Sequence, residues 1–427
     1  MYNFHQHRLY FFEEKKPKKA KSEKKENALA TARSKVNEIH LAYVLNREKH
    51  VSPEAEKEFR KNVALLSPEE RNNQMRRAEA MARSYLDVAK RHHGFTGNIE
   101  DIASVHLTGS GGGIKKVGRE HKQPHLEEIQ SQDHPADVLV RWNHRSRVHG
   151  TEFHGLSAKS NEGKGLERIS NRGIDGISRQ LTEAHPKGKK IDTHSHHDRA
   201  MEEFAKKHGM LHLPLKVTGP DKNHPKKSRY GRIKSDKKIM ADAEKAGARS
   251  QRKARDAYVA GMEELHSQDI DAVKRHLLQH HMRVGSPQAR ALPYVVVSGY
   301  GNNQAGYGAA VHNPEHSVHS RLVINAHGFT IEHSGDTGFR VHAHGPGYED
   351  GAHVLTVQLK HNTQKMAGKM KAIATEGSLR MKTKKQAPNW EETLPVDKPT
   401  AVGKKFLKKL DDETKNEKKK SNKKGKK

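Results

Sequence analysis

Two short runs place an acid and a base where chemistry on a phosphate would need them. The first is Pro135-Ala136-Asp137-Val138-Leu139-Val140, and the second is Gly155-Leu156-Ser157-Ala158-Lys159-Ser160. An aspartate on one strand and a lysine on its neighbour can meet at a sheet edge. There the Asp137 carboxylate would hold a divalent cation. The Lys159 ammonium would orient an attacking water or offset the charge developing on phosphate. Mg²⁺, with Mn²⁺ as its substitute, suits the pair, because it takes few carboxylates and keeps several of its waters. Taken singly, each residue has a plainer reading. Asp137 would cap the start of a strand, and Lys159 would be a solvated strand residue.

Histidine is the other abundant chemical group, at 33 residues. Ile191-Asp192-Thr193-His194-Ser195-His196-His197-Asp198 contains the D-x-H-x-H spacing of barrel-type metal hydrolases. No series of alternating strands and helices follows it, so it reads as a histidine-rich helix start. A second group runs from His312 to His353. His342-Ala343-His344 would put two imidazoles on one strand face, within reach of one metal. No acid nearby completes that set, so these residues read as surface histidines that gain charge below about pH 6.5.

The elements that position Asp137 and Lys159 follow from local pattern. Residues 136–142 and 153–159 are strand-like, and the turn-rich NHRSRVHGTE between them predicts an antiparallel hairpin. Helical spacing covers 29–92, with Ser67-Pro68-Glu69-Glu70 as a helix start and Gly94 as an end. Thr108 to Gly113 is a glycine-rich loop without the P-loop spacing. Residues 172–210 look helical, with Ile174, Ile177 and Leu181 on one face. The stretch 216–255 is basic and poor in large apolar residues, which predicts a linker or charged insertion. A helix is predicted over 257–283. Past Pro293 the chain turns β-rich, with strands around 294–297, 322–324, 329–331, 339–341 and 354–359, and then a helix over 364–376.

Composition narrows the partners. The chain has 427 residues, with 80 Lys and Arg against 51 Asp and Glu, a formal charge of +29. Such an excess repels itself unless a polyanion relieves it, and lysine and arginine gain affinity for phosphate backbones by releasing counterions. DNA is the expected partner and RNA the weaker alternative. An anionic membrane would need an amphipathic face that the basic tracts lack. Hydrophobic residues reach only 32%, too few to pack the whole length, so lysine-rich arms at both ends are expected to be disordered. Aromatics at 5% are too sparse to line a single-strand stacking groove. With no cysteine there are no disulfides and no thiolate zinc sites. No apolar run is long enough to span a membrane, and no leader-like segment opens the chain, so a cytoplasmic protein is expected, or a packaged one if viral.

The hairpin resembles the core of the PD-(D/E)XK, or restriction-endonuclease-like, nuclease superfamily, and most of all its divergent members encoded by bacteriophages. In those an aspartate follows a proline on one strand, and the next strand reads G-[IL]-S-x-K-[ST]. Asn171-Arg172-Gly173-Ile174-Asp175-Gly176-Ile177 is similar to a segment such proteins carry after the lysine. The resemblance implies an α/β fold, a mixed sheet flanked by helices, and a Mg²⁺-dependent deoxyribonuclease. It makes Asp137 a metal ligand, Lys159 the catalytic lysine and Glu79 the helical acid that joins Asp137 on the metal. It also exposes a departure: the acid expected two residues before the lysine is Ser157. Either Glu152, Glu162 or Glu167 moves in, or the protein keeps the fold and only grips DNA, as a DNA-binding or virion-associated protein would. The expected organisation is a basic arm (1–28), a helical segment (29–64), the nuclease-like domain (65–210), a basic linker (211–256), a helix with a β-rich region (257–382) and a basic tail (383–427).

Overall fold

Ser67 and Glu70 start helix α3 (Pro68–His92) by capping each other. The Glu70 N–H donates to Ser67 Oγ at 3.2 Å, and the Ser67 N–H donates to the Glu70 carboxylate at 3.0 Å. Pro68 follows at the first position, where a helix has no use for an N–H. Gly94, with φ of 65°, turns the chain away just beyond the helix. The computed structural model describes residues 19–108, 113–129, 134–160, 168–185, 191, 193–215, 217, 221, 224, 226–285, 289, 291–361 and 370–382. The segments 1–18 and 383–427, which hold most of the two basic arms, lie outside them. The described part of the first arm is not disordered: Lys19–Leu45 forms helix α1. Its Ala, Lys and Glu content explains this, since all three are strong helix formers.

Helices α1, α2 (Pro53–Val63) and α3 precede the first sheet. That sheet holds β1 (Ile102–Leu107), β2 (Val138–Trp142), β3 (Phe153–Ser160), β5 (Tyr294–Asn302) and β6 (Gly306–His312), in that spatial order. β1, β2 and β3 form an antiparallel meander, β3 pairs in parallel with β5, and β6 returns antiparallel. One face carries Val138, Val140, Trp142, Leu156 and Val295, which bury against Leu41 of α1 and Met81 and Tyr85 of α3. The other face presents Leu139 and Phe153 to Ile114 and Val117 of α4 (Gly113–Glu120) and Leu126 of α5 (Pro124–Glu127). The result is an α/β arrangement with a mixed sheet between helices.

The second sheet is antiparallel throughout, in the order β4 (Arg168–Gly173), β10 (Met370–Glu376), β9 (Ala352–His361), β8 (Gly338–His344) and β7 (Gly328–Ser334). Its core is shared with α6 (Ile174–Ala184), α9 (Lys237–Gln268), α10 (Ile270–His276) and α11 (Val318–Asn325). Sheet membership therefore cuts across the divisions drawn from composition at residues 210 and 293. β5 and β6 complete the first sheet, and β4 joins the second.

Four local expectations are corrected. The presumed linker at 216–255 contains α8 (Arg229–Ser235) and most of α9, a 32-residue helix capped by Asp236. Between Ile239 and Arg255 its buried positions are small (Ala243, Ala246, Gly247, Ser250, Ala254), whereas the large buried side chains, Tyr258, Met262 and Leu265, come later in the helix. Leu322-Val323-Ile324 lies in α11, where Ser317 caps the N-terminus and all three side chains are buried. A short apolar run buried at every position has no period to reveal its conformation. Residues 370–376 form a strand rather than a helix, with Met370, Ala372 and Ala374 buried in alternation. The predicted 257–283 helix breaks at Asp269, which caps α10 through the Ala272 N–H.

Candidate active site

Asp137 is the residue just before β2, and both neighbouring strands hold its backbone. Its N–H donates to the Leu156 carbonyl at 2.7 Å, and its carbonyl accepts from the Thr108 N–H at 3.0 Å. Ser157 and Lys159, two apart on β3, point to the same side of the sheet. All three meet at one carboxylate oxygen. Asp137 Oδ2 accepts from the Ala158 N–H at 2.9 Å, from Lys159 Nζ at 3.0 Å and from Ser157 Oγ at 3.3 Å. Among the described residues Oδ1 accepts nothing. The Asp137 and Lys159 side chains are 25% and 35% exposed, so the pair is reachable from solvent yet partly shielded from it.

The approach to Asp137 is built of fixed parts. His134 Nδ1 accepts the Ala136 N–H at 3.2 Å, and its other nitrogen lies 2.9 Å from the Leu292 carbonyl. Burial pushes the His134 pKa down to about 4, so at neutral pH the ring can accept at one nitrogen and donate at the other. Thr108 Oγ1 donates to the Ala136 carbonyl. Gly155 lets the hairpin close here, since a Cβ on it would stand 2.9 Å from Ala136 Cβ.

Of the residues singled out from sequence, the fold brings together Asp137, Ser157 and Lys159. Glu79 is engaged elsewhere: its carboxylate lies 3.0 Å from Arg76 and 3.7 Å from His40 of α1. Glu152 is also committed, to Arg141 at 3.2 Å and Gln123 at 3.1 Å. Glu162 and Glu167 lie outside the described residues. Asn171–Gly173 belongs to β4 and Ile174–Ile177 to α6, so that similar segment enters the second sheet.

Sequence reasoning missed Lys35 and Glu38 on α1. Lys35 Nζ donates to Glu38 Oε2 at 2.9 Å, and Ser34 Oγ holds the other Glu38 oxygen at 2.8 Å. Burial alone would lower the Lys35 pKa. The Glu38 carboxylate, with Glu58 and Asp137 behind it, overrides burial and holds that pKa above its ordinary value. Lys35 thus feels both Glu38 and Asp137, and it links an α1 acid electrostatically to the hairpin. The available signal was the helical pattern over 29–92, which carries several acids.

A second electropositive feature lies between α7 (His194–Lys207) and α9. A groove of about 890 Å³ is lined by Lys245, Arg249 and Lys253, one turn apart along α9, and by Arg199 and Lys207 of α7. Glu203, Asp242 and Asp256 temper it, and Asp242 pairs with Lys207 at 2.6 Å.

The histidines from 312 to 353 are not simply a surface set. His312, His319, His342 and His353 are buried. Burial holds the pKa of His319 and His342 below the ordinary value and that of His353 at about 4. His342 also has an acid that sequence reading did not find, Glu332 at 3.3 Å. In the D-x-H-x-H stretch, Asp192 lies outside the described residues, and the segment leads into α7 with Thr193 at the N-cap position.

Compared with protein-family models, curated proteins and solved structures, the chain matches none. Among the described residues no helix is long and apolar enough to cross a membrane.

Proposed function

We propose that the chain is a Mg²⁺-dependent DNA phosphodiester hydrolase, a divergent phage-type member of the PD-(D/E)XK superfamily. The observation that carries this reading is the 3.0 Å contact between Lys159 Nζ and Asp137 Oδ2 across adjacent strands. The mixed sheet between helices is the architecture that the resemblance implies. The donor set fits a magnesium ion: Asp137 keeps Oδ1 available, and Mg²⁺ binds through one or two carboxylates with waters and substrate phosphate. When bound, the ion would supply charge neutralisation at the scissile phosphate. Glu38, whose partner Lys35 feels the Asp137 charge, is a second candidate beside Glu79 for the helical acid. Lys159 would turn from Asp137 toward the reacting phosphate and offset its growing charge. The basic α7–α9 groove would add sequence-independent grip on the backbone.

A second reading is favoured by Ser157. With a neutral hydroxyl in place of the second acid, and Oδ2 already accepting three donors, the hairpin can serve as a structural lock in a DNA-binding protein.

One experiment separates the two. Supercoiled DNA is incubated with Mg²⁺ or Mn²⁺ and the parent, Asp137→Asn or Lys159→Ala, with binding measured in parallel against DNA and RNA. Nicking lost in both variants supports the hydrolase. Binding shared by all three with no nicking leaves the second reading, and preference for RNA removes both.

A further inference from the structure

Beside the hairpin, β1 and the end of α4 gather three side chains of metal-ligating type. His106 on β1, Glu120 at the last position of α4 and His121 just after it each offer a ligand atom, and the three atoms lie within 4.8 Å of one another. Two imidazole nitrogens and one carboxylate oxygen are the ligand set of a borderline divalent ion such as Zn²⁺. They leave a fourth, tetrahedral position for water. Three such donors are too few and too nitrogen-rich for Ca²⁺ or Mg²⁺.

The surroundings suit an ion. His106 Nε2 lies 2.9 Å from Ser104 Oγ, so the hydroxyl can take that N–H and leave Nδ1 for a metal. Two cations face the cluster. Lys116 lies 3.8 Å from Glu120 and is 79% exposed, so it can swing into water. Arg141 lies 3.2 Å from His121 Nδ1 and has a second partner in Glu152 at 3.2 Å, to which it can withdraw.

We propose that His106, Glu120 and His121 bind one Zn²⁺-class ion that fastens α4 to β1. The consequence is mechanical. α4 covers Leu139 and Phe153, and His106 pairs in register with Leu139, two residues from Asp137. In a chain without cysteine, such an ion would pin the helix that backs the hairpin. The inference does not depend on the hydrolase reading.

The test titrates Zn²⁺ alone into the metal-free full chain by calorimetry, with Co²⁺ absorption and thermal unfolding as further readouts. Glu120→Gln and His121→Asn are the variants, both at solvent-reachable positions. The expected result is one site in the parent that weakens more than tenfold in each variant, a tetrahedral Co²⁺ spectrum lost with it, and a Zn²⁺-induced rise in Tm seen only in the parent. Equal Zn²⁺ affinity and stoichiometry in parent and variants would assign the ion to other histidines and overturn the proposal. So would a parent that binds no Zn²⁺ at about 100 µM.

Discussion

The Ala158 N–H donates to Asp137 Oδ2 at 2.9 Å, so the strand that carries Lys159 also fixes the carboxylate Lys159 touches. The position of the carboxylate is therefore held by backbone as well as by the lysine. Removing the lysine amine should leave Asp137 in place, and with the pair still reached by solvent the stability lost should be about 1 kcal/mol.

Ser157 is the position where an acid would complete the site. Ser157→Asp would put a second carboxylate close to Asp137, since Ser157 Oγ is 3.3 Å from Asp137 Oδ2. Without metal the two charges repel, and Tm should fall. Added Mg²⁺ should restore it and raise any nicking rate. Differential scanning fluorimetry with and without Mg²⁺ reads this directly; a Tm indifferent to Mg²⁺ would mean the variant binds no ion there.

Glu38 and Glu79 make opposite predictions. Glu38 is linked through Lys35 to the Asp137 field, whereas Glu79 is held by Arg76 and His40. Glu38→Gln should slow nicking at least tenfold, about 1.4 kcal/mol of transition-state stabilisation, and Glu79→Gln should leave it within about twofold. Equal losses would place the helical acid on α3 after all.

Acid should unfold the protein early, through its buried imidazoles. Burial, aided by repulsion from His149, His316 and His92, lowers the His93 pKa to about 3. Burial likewise lowers that of His134 to about 4, and it drives His154 far down. In the unfolded chain these groups bind protons near the ordinary value of about 6.5. Protonation below that pH therefore favours the unfolded state. The stability of the neutral rings is complete above about pH 6.5 and drains as pH falls toward 3. Urea midpoints should hold steady from pH 8 to 7 and then drop; a midpoint that rises on acidification would contradict this.

Much of the frame was legible in the chain, for identifiable reasons. Ser67, Pro68 and Glu70 announce α3 by local chemistry alone, and β2 and β3 stand out as apolar runs on either side of a turn. The parallel pairing of Gly155 with Tyr294 was not legible, because its partners are far apart in sequence and no local signal encodes that closure. The part of helix α9 before residue 257 was hidden by its small buried residues, and β10 by alanines that suit a helix as well. The meeting of Asp137 and Lys159 was readable from their motif. Lys35 and Glu38 were not, because only folding brings α1 over the sheet.

The α7–α9 groove makes a quantitative prediction about polyanion binding. Lys245, Arg249 and Lys253 are four residues apart on α9, so one helix face presents all three. If each neutralises a phosphate, replacing all three with alanine should flatten the slope of log affinity against log salt by about 2 to 3. Fluorescence anisotropy on a DNA duplex across a salt series measures the slope, and an unchanged slope would remove the groove from the interface.

The most direct test of the hydrolase reading is the Mg²⁺-dependent nicking rate of Lys159→Ala at saturating supercoiled DNA, set against the parent in the same preparation. Lys159→Ala should lose at least a hundredfold, about 2.7 kcal/mol, with DNA affinity and its salt dependence unchanged. A variant that nicks as fast as the parent, or a parent that does not nick at all, would contradict it.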